Sequence, residues 1–210
     1  MKLNEIVTTS FSSRFEEDLL QEICNNGILK YAESEKIILE IRRSIKFIPL
    51  IVSGIVKVMR RDGQGNGIFL HYLSEKQTSA IAISYALENK KSEIRLKAQS
   101  NITYIAIPSK VVDSWFLKYQ SWRAFYFKLN QQQTSYLIES INDIAFVSLE
   151  FRLLKYLEYT STIFHNRTIQ SKHFDIARDL KVSREAISRI LKKLEKEEIV
   201  TLGRNKITLN

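Results

Sequence analysis
The period of the apolar residues changes sharply at Pro108 in this 210-residue chain. Between Ile28 and Pro108, short β-branched runs alternate with turn residues. Lys36–Ile41, Phe47–Ser53, Ile55–Met59, Ile68–Tyr72, Ile94–Ala98 and Ile102–Ile107 each have the composition of a strand. In Ile94–Ala98 the apolar residues alternate with Arg95 and Lys97, the period of a strand buried on one face. Beyond Pro108 the apolar residues recur at helical spacing. Strands gathered over Ile28–Pro108 and helices gathered mostly after it describe an α+β chain, its short strands forming a sandwich, barrel or jelly roll. Hydrophobic residues at 44% and charged residues at 26% supply enough apolar material for real cores.

Residues 10–25 read as one helix. Phe11, Phe15, Leu19 and Ile23 form its apolar stripe, Ser13 and Glu16 have the spacing of a capping box, and Asn25-Asn26-Gly27 ends it. Asp62-Gly-Gln-Gly-Asn-Gly67 could be mistaken for a nucleotide-cradling loop. Such a loop opens a helix, whereas this one leads into a strand, so a hairpin turn is expected.

After Pro108, Trp115, Tyr119, Trp122, Tyr126 and Leu129 alternate steps of four and three, a seam of the coiled-coil kind. It continues through Gln133, Tyr136 or Leu137, Ile141 and Ile144. A helix of this length without Gly or Pro is expected to pair with a two-fold mate. Trp122, Tyr126, Leu129, Gln133, Leu137, Ile141 and Ile144 would then form the dimer interface. The first turns, with Trp115, Phe116 and Tyr119, could instead pack on the chain's own barrel. Phe151, Leu153, Leu154, Tyr156 and Leu157 lie on another helix, and Thr160–Gln170 reads as a loop. The expected division is a barrel over 1–109, the long helix over 110–146 and a third part over 147–210.

The third part carries the functional signal. Phe174, Ile176, Ala177 and Leu180 mark a short helix, with a break at Lys181-Val182. Ser183 is a good N-cap for a second helix, Arg184–Lys196, which buries Ala186, Ile187, Ile190, Leu191 and Leu194. Two helices joined by a tight turn form a helix-turn-helix. Ile199–Leu202 and Lys206–Leu209, joined through Gly203-Arg204-Asn205, then read as a hairpin, the wing of a winged helix. Arg184, Glu185, Ser188 and Arg189 share the exposed face near the start of the second helix, the end that enters a major groove in such motifs. Arg can grip guanine O6 and N7, and Glu can accept from the cytosine amino group. Ser183, Lys192, Lys193 and the wing-tip Arg204 are candidate contacts to the DNA backbone. Alone, such a helix could equally be a solvated charged face; the hairpin after it favours the DNA reading.

Charge points the same way. Lys and Arg number 32 against 23 Asp and Glu, a net +9, and the segment from Val147 to Asn210 carries +5 of it. That surplus suits nucleic acid, an anionic membrane surface or merely a solvated basic surface.

Val182-Ser-Arg-Glu-Ala-Ile-Ser-Arg-Ile-Leu-Lys-Lys-Leu-Glu195 resembles the recognition helix of the Crp/Fnr transcription regulators, and Phe174–Leu180 resembles the helix before it. Val52-Ser-Gly-Ile-Val-Lys-Val58, Ile105–Pro108 and Ala145–Leu154 are similar to other segments of that family. The resemblance implies an N-terminal double-stranded β-helix (jelly roll) of the cyclic-nucleotide-binding type, a long dimerisation helix and a C-terminal winged helix-turn-helix. It implies that Glu185 and Arg189 are the base-reading pair, with Ser188 and Arg184 beside them, and that Lys172 and His173 meet phosphate. It further implies double-stranded DNA, a second copy of the chain and RNA polymerase as partners. The operator would be two-fold, with TTGA-like or TGTGA-like half-sites roughly 34–36 Å apart.

This chain departs from the family at two places. Lys181 stands where the family often has Gly in the turn, and a Lys forced to positive φ costs on the order of 1 kcal/mol. Nucleotide-binding members carry Gly-Glu and a later Arg-Ser, for which this chain has Ser74-Glu75-Lys76 and Lys91-Ser92. Lys91 and Ser92 remain as an effector-pocket candidate, but cyclic-nucleotide dependence is not expected, nor is any cofactor.

Cys24 is the only cysteine, which excludes an internal disulfide and a multi-cysteine metal site. His71, His165 and His173 have neither metal-ligand nor triad spacing, so an enzyme is not expected. The first ten residues lack a signal-peptide core, and no apolar run is long enough to span a bilayer, so a cytoplasmic protein is expected. The competing reading is a ligand-sensing or protein-partner-binding module without specific DNA binding.

Overall fold
The computed structural model describes residues 2–61 and 67–210. In chain order the elements are α1 (Leu3–Phe11), α2 (Glu17–Asn26), β1 (Ile28–Ala32), β2 (Ile37–Leu39), β3 (Phe47–Ser53), β4 (Val56–Arg61), β5 (Gly67–Leu73), α3 (Ala80–Leu87), β6 (Ile94–Ala98) and β7 (Ile102–Pro108). They continue with α4 (Ser109–Lys118), α5 (Gln120–Phe146), α6 (Leu149–Phe164), β8 (Thr168–Gln170), α7 (His173–Leu180), α8 (Arg184–Lys196), β9 (Val200–Gly203) and β10 (Lys206–Leu209). They form two compact units. The first takes residues 2–60 and 70–136, the second residue 61, residues 67–69 and residues 137–210. The hairpin turn expected at Asp62–Gly67 falls on residues 62–66, outside the described residues.

In the first unit, β7 lies between β1 and β3, antiparallel to both, while β6 lies between β2 and β4, with β5 beyond β4. One core joins the two sheets, through Ile48, Leu50 and Ile105 from one and Val58, Leu96 and Leu73 from the other. The period of two read in β6 is realised: Ile94, Leu96 and Ala98 are buried. Arg95 and Lys97, turned the other way, pair with Glu40 and Glu35. Gly54 turns β3 into β4 at φ +84°, and a Cβ there would lie 2.4 Å from the Asn101 carbonyl oxygen. Only glycine fits that corner. Sequence reading passed over β1 and α3.

The N-terminal helix is two helices. The stripe of Phe11, Phe15, Leu19 and Ile23 is buried throughout, but Phe15 sits in a turn between α1 and α2. The Ser13–Glu16 capping box does not form, because Glu16 itself occupies the N-cap of α2. The Glu16 carboxylate instead accepts from the Ser121 backbone N–H, at 3.3 Å, in the first turn of α5. The Ser121 hydroxyl accepts in return from the Glu16 N–H, at 3.4 Å.

The expected helix over 110–146 is also broken. Tyr119 is extended between α4 and α5, and Arg123 donates to the Phe116 and Leu117 carbonyls that the break leaves open. The break lets Trp115 and Trp122 meet edge to face, 5.2 Å between ring centroids, both fully buried. Phe15, Phe116 and Phe125 complete the aromatic cluster.

This packing corrects three interface assignments. Trp122, Leu129 and Gln133 lie in the first unit's own core and have no surface left for a second chain. Gln133 is held there by two hydrogen bonds: its amide oxygen accepts from Ala80 N–H at 3.0 Å and its amide nitrogen donates to the Thr78 carbonyl at 2.9 Å. Tyr126 is half-buried, its hydroxyl 2.8 Å from that of Ser84. Leu137 is half-buried, and Ile141 and Ile144 are exposed.

In the second unit, α6 continues to Phe164 and β8 follows it, where a loop was expected over Thr160–Gln170. The order of its sheet is β8-β10-β9, antiparallel throughout. Its core draws Leu153 and Leu157 from α6, Ile176 from α7, Ile187, Leu191 and Leu194 from α8, and Val200 and Ile207 from the hairpin.

Candidate nucleic-acid interface
Helices α7 and α8 form the expected helix-turn-helix, and β9 with β10 the expected hairpin. Lys181 ends α7 at φ +58°, ψ +48°, the left-handed conformation that the Gly-poor turn requires. The Val182 N–H then reaches back to the Ala177 carbonyl at 3.0 Å. Lys181→Gly is expected to stabilise the protein by about 1 kcal/mol. The check is a rise in Tm of about 2–4 °C. The turn is also braced from α6: Arg152 donates to the Leu180 carbonyl at 2.9 Å, and the Tyr156 hydroxyl donates to the buried Asp179 carboxylate at 2.8 Å. Sequence reading missed both braces, since neither partner lies within 20 residues of the other in the chain.

Ser183 caps α8 as read, its hydroxyl accepting from Ala186 N–H at 3.1 Å. The cap satisfies one of the N–H groups that the first turn leaves open, at the end of the helix that carries partial positive charge. Of the four base-reading candidates, Arg184, Glu185 and Arg189 are exposed. None of the three makes a hydrogen bond or ion pair among the described residues. Ser188 differs. It is half-buried, and its hydroxyl lies 2.9 Å from Nδ1 of His173. His173, expected at phosphate, therefore faces α8. Its imidazole is held below the usual histidine range by burial and by the positive charge of Arg184.

The backbone-contact candidates divide. Lys172, Ser183, Lys192 and the wing-tip Arg204 are exposed. Lys193 is exposed too but engaged: its ammonium lies 2.7 and 2.9 Å from the Glu150 carboxylate oxygens and 3.7 Å from Glu197. Its charge is already neutralised within the unit, and the cause is Glu150 on α6, which helix periodicity in α8 cannot reveal.

The effector-pocket candidate does not assemble. Ser92 is buried, and its hydroxyl closes a turn by donating to the Ile94 carbonyl at 2.8 Å. Its backbone is bonded to Arg42 and Arg43, while Lys91 is exposed. The Ser74–Lys76 loop is closed on Ile51, Gln77 and Arg14. At the start of α3, Ser79 accepts from Ala82 N–H and Gln133 from Ala80 N–H, so donors that could seat an anion are taken. Among the described residues, no group of three or more His, Cys, Asp or Glu side chains could hold a metal ion. No helix among them is long and apolar enough to cross a membrane.

No protein-family model and no curated protein matches the sequence. Solved structures do. A protein of Eubacterium rectale described as a transcriptional regulator of the Crp/Fnr family superposes with a TM-score of 0.82 at 21% identity, over 96% of this chain and 94% of its own. The c-di-GMP-responsive global regulator CLP of Xanthomonas campestris gives 0.77 at 13% identity, over 92% of this chain and 99% of its own. A Crp/Fnr-family transcriptional regulator of Thermus thermophilus gives 0.69 at 14% identity, over 87% and 93%. Identities this low speak to the fold, which this chain shares, over nearly its whole length, with the Crp/Fnr transcriptional regulators.

Proposed function
We propose that the protein is a sequence-specific transcription regulator that binds double-stranded DNA as a homodimer and needs no cyclic nucleotide. The observation that carries this reading is the exposed start of α8, where Arg184, Glu185 and Arg189 have no partner among the described residues. These side chains, which have base-reading chemistry, are left open to a partner, whereas Lys193 on the same helix is engaged by Glu150. Lys172, Lys192 and Arg204 flank that face with charge suited to phosphate. The matched structures are described as transcriptional regulators, which supports the same reading; a cytoplasmic setting and RNA polymerase as a partner are parts of the proposal that follow from it. Independence from cyclic nucleotide is supported by Gln133 and Ser79 at the start of α3.

Selection of sites from random DNA, without added ligand and at two salt concentrations, tests the proposal. An inverted repeat with half-sites about one helical turn apart is expected. Arg189→Ala should weaken that site by about 1–3 kcal/mol and relax one position. Lys192→Ala should weaken all sequences alike and reduce the salt slope by about one. Recovery of no motif would count against the reading, as would Arg189→Ala binding normally.

For the homodimer, the support lies in the outward face of α5. Phe127, Ile138, Ile141 and Ile144 are 63, 56, 65 and 65% exposed. Phe127, Thr134 and Ile141 recur every seven residues, with Leu137, Ile138 and Ile144 beside them. A pairing seam on this stripe would be displaced around the helix from one that contains Trp122, Leu129 and Gln133. Ile141→Glu is expected to give a folded monomer at micromolar concentration by sedimentation velocity; an unchanged dimer would move the interface elsewhere.

A further inference from the structure
The face of α8 proposed to read bases contains one side chain that is not free. Ser188 stands between exposed Glu185 and Arg189, and its hydroxyl lies 2.9 Å from Nδ1 of His173 on α7. A serine hydroxyl has one proton to donate and two lone pairs. The Ser188 hydroxyl makes no other hydrogen bond among the described residues, so whichever role Nδ1 takes decides the role left to the hydroxyl. The charged group facing the ring from α8 is Arg184, whose positive charge adds to burial in keeping the imidazole neutral. On α7 itself, Asp175 is engaged by Arg178 at 2.9 Å, and Lys172 precedes the ring at the N-cap.

Resting on the DNA-binding reading above, we propose that His173 is a specificity-determining residue that fixes the hydrogen-bond polarity of Ser188. Of the two neutral tautomers, we assign the one with its proton on Nε2, in which Nδ1 accepts the Ser188 proton. Ser188 then offers only lone pairs to the major groove. A pure acceptor there favours a base that presents an amino group, adenine through N6 or cytosine through N4. It disfavours guanine O6 or N7 and thymine O4, which need a donor. Arg189 and Glu185 read their bases independently, so the bias falls on one position of each half-site. His173 contributes without touching the base, through the orientation of a neighbour that does.

The test is site selection from random DNA at pH 8 with four proteins: the unaltered chain, His173→Phe, Ser188→Ala and the double variant. Phenylalanine fills the ring's space but cannot accept. The unaltered chain should prefer adenine or cytosine at one position of each half-site by about fivefold, the worth of one hydrogen bond. His173→Phe should flatten that position alone, Ser188→Ala should flatten the same position, and the double variant should add nothing further. Preferences at the remaining positions should survive in all four. Identical preferences for the unaltered chain and His173→Phe would overturn the role of His173, with DNA reading intact. So would a His173→Phe protein that binds every sequence more weakly by one factor, which would make His173 a phosphate contact. No motif from any of the four would overturn both this proposal and the DNA-binding reading.

Discussion

Trp122→Ala is expected to cost the folded protein about 3–5 kcal/mol, the range for emptying a buried aromatic site. Trp122 is fully buried and is ringed by Trp115, Phe15, Phe125 and Phe116 at centroid distances of 5.2, 5.8, 5.5 and 6.4 Å. Those rings come from α4, from α5 and from the turn that separates α1 and α2, so the cavity would open where three elements meet. A rigid aromatic wall cannot collapse to refill it, which places the cost toward the upper part of the range. Trp122→Phe should cost much less. The indole N–H of Trp122 has no hydrogen-bond partner among the described residues, so phenylalanine gives up area but no bond. Urea unfolding of the two variants at fixed protein concentration is the measurement. A loss below about 1 kcal/mol for alanine would mean that the ring is not enclosed as described. With the unfolding repeated at several protein concentrations, a midpoint that rose with concentration in the unaltered chain but not in the alanine variant would return Trp122 to an intermolecular role.

Lowering the pH from 6.5 to 4 is expected to remove up to about 3 kcal/mol through His71 alone. His71 is 1% exposed on β5, and neither ring nitrogen has a partner among the described residues. Burial pushes its pKa down to about 4. The ring is therefore neutral in the folded protein, while in the unfolded chain it titrates near 6.5. Between those values the unfolded state binds the extra proton, so stability is complete above pH 6.5 and falls as the pH drops toward 4. Carboxylates titrate over part of the same range, which a difference measurement removes. The slope of unfolding free energy against pH should be shallower in His71→Leu than in the unaltered chain between pH 4 and 6.5. Parallel slopes would mean that His71 reaches water or an acceptor.

What could be read in the sequence follows from the range of the forces involved. Ser183, the α8 stripe and the hairpin around Gly203-Arg204-Asn205 depend on neighbours a few residues away, and their pattern survives in one dimension. The alternation in β6 is legible for the same reason. Failures came where a distant residue competed for a local one. Glu16 has capping-box spacing from Ser13 but is claimed by Ser121, more than a hundred residues on. Lys193 has the spacing of a phosphate contact but is claimed by Glu150. Trp122, Leu129 and Gln133 fall on a heptad-like stripe, and a stripe states only that one face is covered, not whether the cover is the same chain or another. Tyr119 interrupts the helix without Gly or Pro, so no breaker residue marks the place where the two tryptophans are brought together. Ser188 is the subtlest case. Its position on the helix face was legible, but its tie to His173 depends on how α7 crosses α8.

The inward half of α5 has a consequence for how an assembled regulator would come into being. The aromatic cluster and the Gln133 bonds are satisfied inside one polypeptide, so the first unit can reach its final packing while the chain is alone. Under the homodimer proposed above, pairing would then be a separate, bimolecular event that uses the outward half of the same helix. Newly made copies would pass through a folded, unpaired stage whose lifetime shortens as their number in the cell rises. Operator occupancy would respond to dosage more steeply than in proportion, a threshold set by the chain's own abundance without any small-molecule signal.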